Sequence, residues 1–257
     1  MPVRDDAPAP RLRSAETAED WERVIRAAAR VQAIVPGAIL VGGTAAALHA
    51  GHRFSMDDDH VVRDLASRYE AILAALEEAA GWRTERIQYP KQILGRLEGV
   101  DTGIRNQRRA APLETAIWQT AHGPLVLPTL PEMARIKAWL VVDRNATRDY
   151  LDFAALAERL RELHGADAIV RAVLPMEDLY PQPTTGESVV RQLARQLAEP
   201  RPYDLADNDI SAYRWIADRW RSWDEVREVS LRIGAQLERA RSLELGEDWH
   251  RADERGL

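Results

Sequence analysis

The sequence predicts an α/β (α+β) chain, with a mixed helix-and-strand unit over residues 1–128 and a mainly helical region over 129–257. Three observations predict it. In the first stretch, helical spacing of apolar residues alternates with short runs of strand length. Glycine and proline pairs punctuate those runs. From Thr129 onward the spacing is helical almost throughout.

The elements follow in order. Residues 1–13 contain proline and arginine and read as frayed. Ser14 or Thr17 caps a helix running to about Val31, with Trp21, Val24, Ile25, Ala28 and Val31 at helical spacing. Pro36-Gly37 ends it, and Ala38 to Val41 reads as a short buried strand. Gly42-Gly43 closes that strand, and Thr44 to His49 opens a second helix. Phe54 to Val62 is a strand with acid in it. Ala66 to Ala80 is amphipathic, with Tyr69, Ile72, Leu73 and Leu76 on one side. Strands are expected at Arg83 to Gln88, Gln92 to Leu97, Val100 to Ile104 and Leu125 to Leu127. Thr129, Pro131 and Glu132 start a helix at about 130–142. Others are expected at about 147–162, 187–198, 208–221 and 223–243, with Pro175 to Pro183 as a loop and Glu247 to Leu257 loose.

Composition bounds the function. The 257 residues carry 35 lysines and arginines against 41 aspartates and glutamates, a net charge of −6. That excludes the basic balance of a simple nucleic-acid coat but leaves room for a local basic patch. At 46% hydrophobic residues the chain has material for a sizeable core. There is no cysteine, so a disulfide framework, a zinc ribbon and a thiol nucleophile are excluded. The first ten residues lack the apolar core of a signal peptide, and runs such as Ala138 to Val142 are too short to span a bilayer. The expectation is a cytoplasmic chain without a membrane segment.

Three features carry chemistry. Val41-Gly42-Gly43-Thr44 ends a strand and opens a helix. Glycine there serves either a tight turn or the close approach of a phosphate to helix N-terminal N–H groups. In Ser55-Met56-Asp57-Asp58-Asp59, strand alternation puts Asp57 and Asp59 on one face and Asp58 on the other. Two adjacent carboxylates repel unless a cation lies between them, and magnesium, which prefers oxygen ligands, fits that role. A solvated acidic turn is the alternative. Third, Lys137 lies in the apolar stretch Met133 to Val142, where it either snorkels or serves an anion. Arg144 and Arg148-Asp149-Tyr150-Leu151-Asp152 follow, and Asp149 and Asp152 share a helical face. Arg105, Arg108 and Arg109 lie in an acid-free segment that is either a solvated loop or a grip for RNA. His49, His52 and His60 cluster in sequence, but on a helix, a turn and a strand they diverge.

Gly-Gly-Thr, then His52 to Asp59, then a helical lysine and Arg-Asp-Tyr-Leu-Asp resemble the AbiEii-type nucleotidyltransferases. These are toxins of type IV toxin–antitoxin and abortive-infection systems, within the polymerase-β-like superfamily. The resemblance spans roughly Ala38 to Leu160. It implies a minimal nucleotidyltransferase core with a short mixed sheet, and a helical region completing the active site. It further implies that Gly42, Gly43 and Thr44 hold the triphosphate of an NTP, with Ser55 in the same motif. Asp57 and Asp59 would bind magnesium or manganese, and Lys137 would contact the nucleotide phosphates. Asp149 and Asp152 would form the last motif, which commonly begins with an arginine where this chain has Ala146. A third carboxylate on a later strand would be Asp101, with Glu98 behind it. The implied acceptor is RNA, the 3′ end of a tRNA, and the implied partner is a cognate antitoxin encoded nearby. Antibiotic-type transfer to a small molecule and a nucleotide-binding pseudo-enzyme are the alternatives.

Overall fold

The computed structural model describes residues 15–182, 186–213 and 215–253. These form two compact units. One extends to Met133 and takes in Tyr213–Ala217; the other takes Ala134–Ala212 and the chain from Asp218 on.

In the first unit, α1 (Ala15–Ile34) leads to β1 (Ile39–Val41), which runs directly into α2 (Gly42–Ala50). Then come β2 (Asp57–Val62), α3 (Leu65–Glu78), β3 (Trp82–Gln88), β4 (Gln92–Leu97) and β5 (Val100–Asn106). They make a five-stranded mixed sheet of order β1-β2-β5-β4-β3, antiparallel except where β2 runs parallel to β5. One face is covered. Val31 of α1, Val35 just after it, and Leu65, Tyr69, Ile72 and Leu76 of α3 pack on Ile93, Leu97 and Ile104. The alternation that buries these leaves the opposite side chains of each strand on the other face.

A hairpin of β6 (Thr115–Thr120) and β7 (Gly123–Pro128) forms a separate two-stranded sheet. The sequence analysis found β7 and missed β6, because Thr115, Gln119 and Thr120 blur its alternation. The Gln32 side chain reaches from α1 to both the N–H and the C=O of Val126, at 2.8 and 2.7 Å. It thereby satisfies one residue of the free edge of β7.

The second unit holds most of α4 (Leu130–Arg144), with α5 (Thr147–His164), α6 (Ala168–Val173), α7 (Met176–Leu179), α8 (Val189–Ala198) and α9 (Trp223–Asp253). Val226, Val229 and Ile233 of α9 are buried, as are Val190, Leu193 and Leu197 of α8. At Gly234 the helices approach so closely that a Cβ would lie 3.1 Å from the Ala198 nitrogen.

Three expectations are corrected here. Residues 208–221 are not one helix. They form short 3₁₀ turns at Ile210–Ala212 and Asp218–Arg221, and between them Trp215 has φ 58°, a left-handed value no α-helix passes through. This segment serves the first unit, where the Ala217 N–H bonds the His52 carbonyl at 2.8 Å. The loop read at Pro175 to Pro183 contains α7, and Pro183 lies outside the described residues. The C-terminal stretch read as loose is helical to Asp253; residues 1–13, read as frayed, and 254–257 lie outside the description. Among the described residues no helix is long and apolar enough to cross a membrane.

Candidate active site

The glycine pair opens α2. Gly42 has φ 72°, which L side chains rarely adopt. A Cβ on it would lie 3.0 Å from the Asp59 Cβ and 3.1 Å from Asp59 Oδ2. A Cβ on Gly43 would meet Ser55 Oγ at 2.4 Å and the Arg53 guanidinium at 2.6 Å. Gly42 is therefore required by its backbone as well as by close approach, while a side chain on Gly43 would have to displace those of Ser55 and Arg53. The cap residue Val41 gives no side-chain hydrogen bond to the first-turn N–H groups, and that turn has no acid. The result is an open helix N-terminus with a guanidinium beside it, an arrangement suited to an anion.

The carboxylates divide between the sheet faces as their alternation predicts. Asp57 is exposed, Asp58 is buried and Asp59 is intermediate. The Thr44 hydroxyl donates to the Asp57 carbonyl at 2.6 Å, tying α2 to the start of β2. The Ser55 hydroxyl donates to the Asp57 carboxylate. Arg105 of β5 donates to Asp59 Oδ1 at 3.3 Å. Asp58 points into the helix-covered face. Burial pushes its carboxyl up to about 8, against a lowering contact with Thr102, while Asp59 and Asp57 add to the rise. His60, two residues on and equally buried, is pushed down to about 3 and stays neutral.

Two of the glycine-site neighbours were not legible in the sequence analysis as such. Gly103 of β5 is the register partner of Asp59, and a Cβ there would lie 2.5 Å from Asp59 Oδ1. A glycine inside a strand signals such an approach. Arg53, beside Gly43, carried no sequence signal of its position.

Asp101 pairs in register with Asp57, so the two share a face. Its carboxylate is held by Arg96 at 2.5 Å. Glu98, in the turn between β4 and β5, pairs with Arg26 and Arg30 of α1. Among the described residues no three acidic or histidine side chains converge as a metal-binding group. The histidines diverge: His49 bonds the Pro128 carbonyl at 2.8 Å, while His60 is buried under the sheet. The proposed arginine segment also divides. Arg109 is buried and pairs with Glu132 at 2.8 Å, with further bonds to the Ala111 and Pro112 carbonyls, so it braces the loop before β6.

In the second unit Lys137 does not snorkel. It is buried, and its ammonium lies 3.1 Å from Asp149 and 2.7 Å from Asp152. The three-residue spacing of the two aspartates on α5 brings both to one lysine of α4. Asp149 Oδ2 has no hydrogen-bond partner among the described residues. The cap residue Ala146 makes no side-chain bond, and Asp204 supplies the cap instead. Its Oδ1 accepts from both the N–H and the hydroxyl of Thr147 at 2.8 Å. Arg148 is exposed.

No protein-family model matches the sequence. Over 138 residues, 52% of this chain, it is 36% identical to the heme uptake protein MmpL11 of Mycobacterium tuberculosis. Over 225 residues, 86% of this chain, it is 28% identical to the mycolic acid-containing lipids exporter MmpL11 of Mycolicibacterium smegmatis. The chain spans about 13% and 22% of the lengths of these relatives. Among solved structures, JHP933 from Helicobacter pylori aligns with a TM-score of 0.49 at 17% identity, over 93% of this chain and 98% of that one. A second H. pylori crystal structure, described as that of a proposed nucleotidyltransferase, aligns at 0.49 and 16% identity, over 88% of this chain and 95% of that one.

Proposed function

We propose that this chain is a metal-dependent nucleotidyltransferase that moves a nucleoside monophosphate from an NTP to an acceptor hydroxyl. One observation carries the reading. Asp57 and Asp59 share the open face of β2, and Asp59 packs against the glycine that opens the uncapped helix α2. An anion-binding N-terminus and a pair of oxygen ligands therefore adjoin within a few ångströms.

The donor set fits a divalent cation. Both groups are hard carboxylate oxygens, the chain has no thiol, and among the described residues no histidine joins them in a metal-binding group. Asp57 and Asp59 would hold magnesium or manganese, which supplies charge neutralisation at the reacting phosphate. The chain's own residues do the rest. The first-turn N–H groups of α2 and Arg53 take the terminal phosphates, and Thr44 and Ser55 fix Asp57. The acceptor oxygen then bonds to the α-phosphorus as the bond to the pyrophosphate oxygen breaks. The acceptor hydroxyl gives its proton to solvent water, and pyrophosphate leaves with the electron pair of the broken P–O bond. Such a reaction asks mainly for positioning and charge compensation.

The finer assignments rest on the resemblance of Gly42 to Asp59 and of Arg148 to Asp152 to AbiEii-type toxins. They give Lys137 a role toward the nucleotide phosphates, with Asp149 and Asp152 fixing its ammonium. They make Asp101 a third metal ligand once it leaves Arg96. They make the acceptor RNA, at a tRNA 3′ end, the setting a cytoplasmic toxin, and the partner a cognate antitoxin.

The test is incubation with each labelled NTP, magnesium and total cellular RNA, for the parent and for Asp57→Asn and Asp59→Asn. Label on small RNA from the parent alone, with losses of at least about 10²-fold in the variants, is expected. Label on a small molecule would move the acceptor to the antibiotic-type class. Tight nucleotide binding with no label anywhere would leave a pseudo-enzyme. An Asp57→Asn protein as active as the parent would remove the assignment.

A further inference from the structure

The open face of the sheet continues outward from Asp59 across three more strands. Register fixes which side chains share it. Asp59 pairs with Gly103, two residues from Arg105 on the same strand face. Arg105 pairs with Gln92, and Asp101 with Arg96. Gln92 pairs with Gln88, Arg96 with Arg83, and Leu94 with Arg86. Adjacent strands lie about 4.8 Å apart, so β3 is about 14 Å from the aspartates.

Arg83 and Arg86 are three apart, and simple strand alternation would send them to opposite faces. The register shifts between Thr84 and Arg86, and this bulge at Glu85 puts both arginines on the aspartate face. Bulges re-aim side chains in this way. Arginines needed only to solvate an edge strand would not require the correction.

Leu94 apart, the face is polar. Arg105 bridges Asp59 and Gln92, at 3.3 and 2.6 Å, and Gln92 donates to Gln88 at 3.2 Å. One hydrogen-bonded chain thus crosses β2, β5, β4 and β3. On β3, β4 and β5 the face holds four arginines against Glu85 and Asp101, in a chain whose net charge is −6. Arg83 and Arg96 are exposed, at 68% and 46%. Arg86 is exposed and has no ion-pair partner among the described residues.

We propose that this face binds the phosphodiester backbone of an RNA acceptor, with Arg83, Arg86, Arg96 and Arg105 as its phosphate contacts leading in to Asp57 and Asp59. The inference deepens the nucleotidyltransferase reading and rests on it for the direction of the track. Arginine forks take phosphate oxygens bidentately, and the Gln88 and Gln92 amides are placed for sugar or base edges. Glu85 and Asp101 hold the guanidiniums in place until phosphate replaces them.

The test uses the full chain and a short fluorescein-labelled single-stranded RNA of mixed sequence, titrated at several salt concentrations. R83E/R86E should bind at least about tenfold more weakly than the parent at about 0.1 M salt, with a salt slope flatter by about two. R83K/R86K, which keeps the charges but not the forks, should bind more weakly than the parent and more tightly than R83E/R86E, with the parental salt slope. R191E/R227E, which makes the same charge change on exposed positions of the helical unit, should also bind as the parent. R86E alone, which breaks no ion pair, decides the matter should the double variant fail to fold; it should weaken binding and flatten the slope by about one. Pyrophosphate release from NTP, measured in parallel, separates the two readings. Retained release with RNA binding unchanged in R83E/R86E overturns the surface and leaves the transferase. Release absent from the parent, with RNA binding lost in R83E/R86E, overturns the transferase and keeps the surface. A parent that binds no RNA overturns the surface whatever its activity.

Discussion

Asp59 occupies the space that any side chain on Gly103 would need: a Cβ at that position would lie 2.5 Å from Asp59 Oδ1. The backbone of Gly103 is ordinary strand, so alanine is tolerated there and the carboxylate is what must move. Gly103→Ala should therefore fold normally and lose about 10²-fold in transfer, the scale expected when a reacting group is misplaced by about 1 Å. Unfolding midpoints and turnover, measured together, check this. Wild-type turnover in Gly103→Ala would mean that the position of Asp59 does not matter.

Lys137 makes a stability prediction as well as a functional one. Lys137→Met takes the ammonium away from Asp149 and Asp152, both of which stay buried. Breaking a buried ion group in this way costs about 3–5 kcal/mol. Urea unfolding of K137M should show that loss, and K137M/D149N/D152N should regain much of it. A K137M protein of parental stability would mean that the aspartates find other partners.

The legible part of this protein is the part whose pattern is local. Alternation placed Asp57 and Asp59 opposite Asp58, and the burial of Asp58 follows it. The glycine pair between β1 and α2 was visible because the need for φ 72° and for close approach is written in two adjacent residues. Relationships across the chain were not legible. Arg109 looked like a phosphate grip because its acid, Glu132, is 23 residues away. The shared face of Arg83 and Arg86 was not read, because a bulge leaves no sequence mark other than the residue it inserts. Residues 208–221 looked helical because their apolar spacing serves two different units.

The cap of α5 comes from far away in sequence. Ala146 stands where a capping side chain would, and Asp204 does that work through Thr147. Asp204→Ala should destabilise the protein by about 1–2 kcal/mol, the worth of a good N-cap. Asp204→Asn, which keeps the accepting oxygen, should lose less. Thermal unfolding of the two variants checks the order, and equal losses would mean that the aspartate's charge rather than its bond to Thr147 is what counts.

Glu158 sets a pH dependence with a definite sign. Burial raises its carboxyl. Hydrogen bonds from Arg161 and Arg219 and the charge of Arg232 outweigh this and bring it from 4.5 down to about 2. Because the folded value is depressed, the unfolded chain takes up the proton first on acidification. The stabilisation is fully present above the unfolded value of 4.5 and is lost as pH falls from there through about 2. Glu158→Gln cannot titrate, so it should be less stable than the parent at about pH 7, with the difference shrinking as pH falls through that window. Comparing the two proteins at each pH cancels the other carboxylates, which both share. Unfolding midpoints from neutral pH to about pH 2.5 give the measurement. A gap that stays constant across the window would show that the three arginines hold Glu158 by packing and hydrogen bonds that do not depend on its charge.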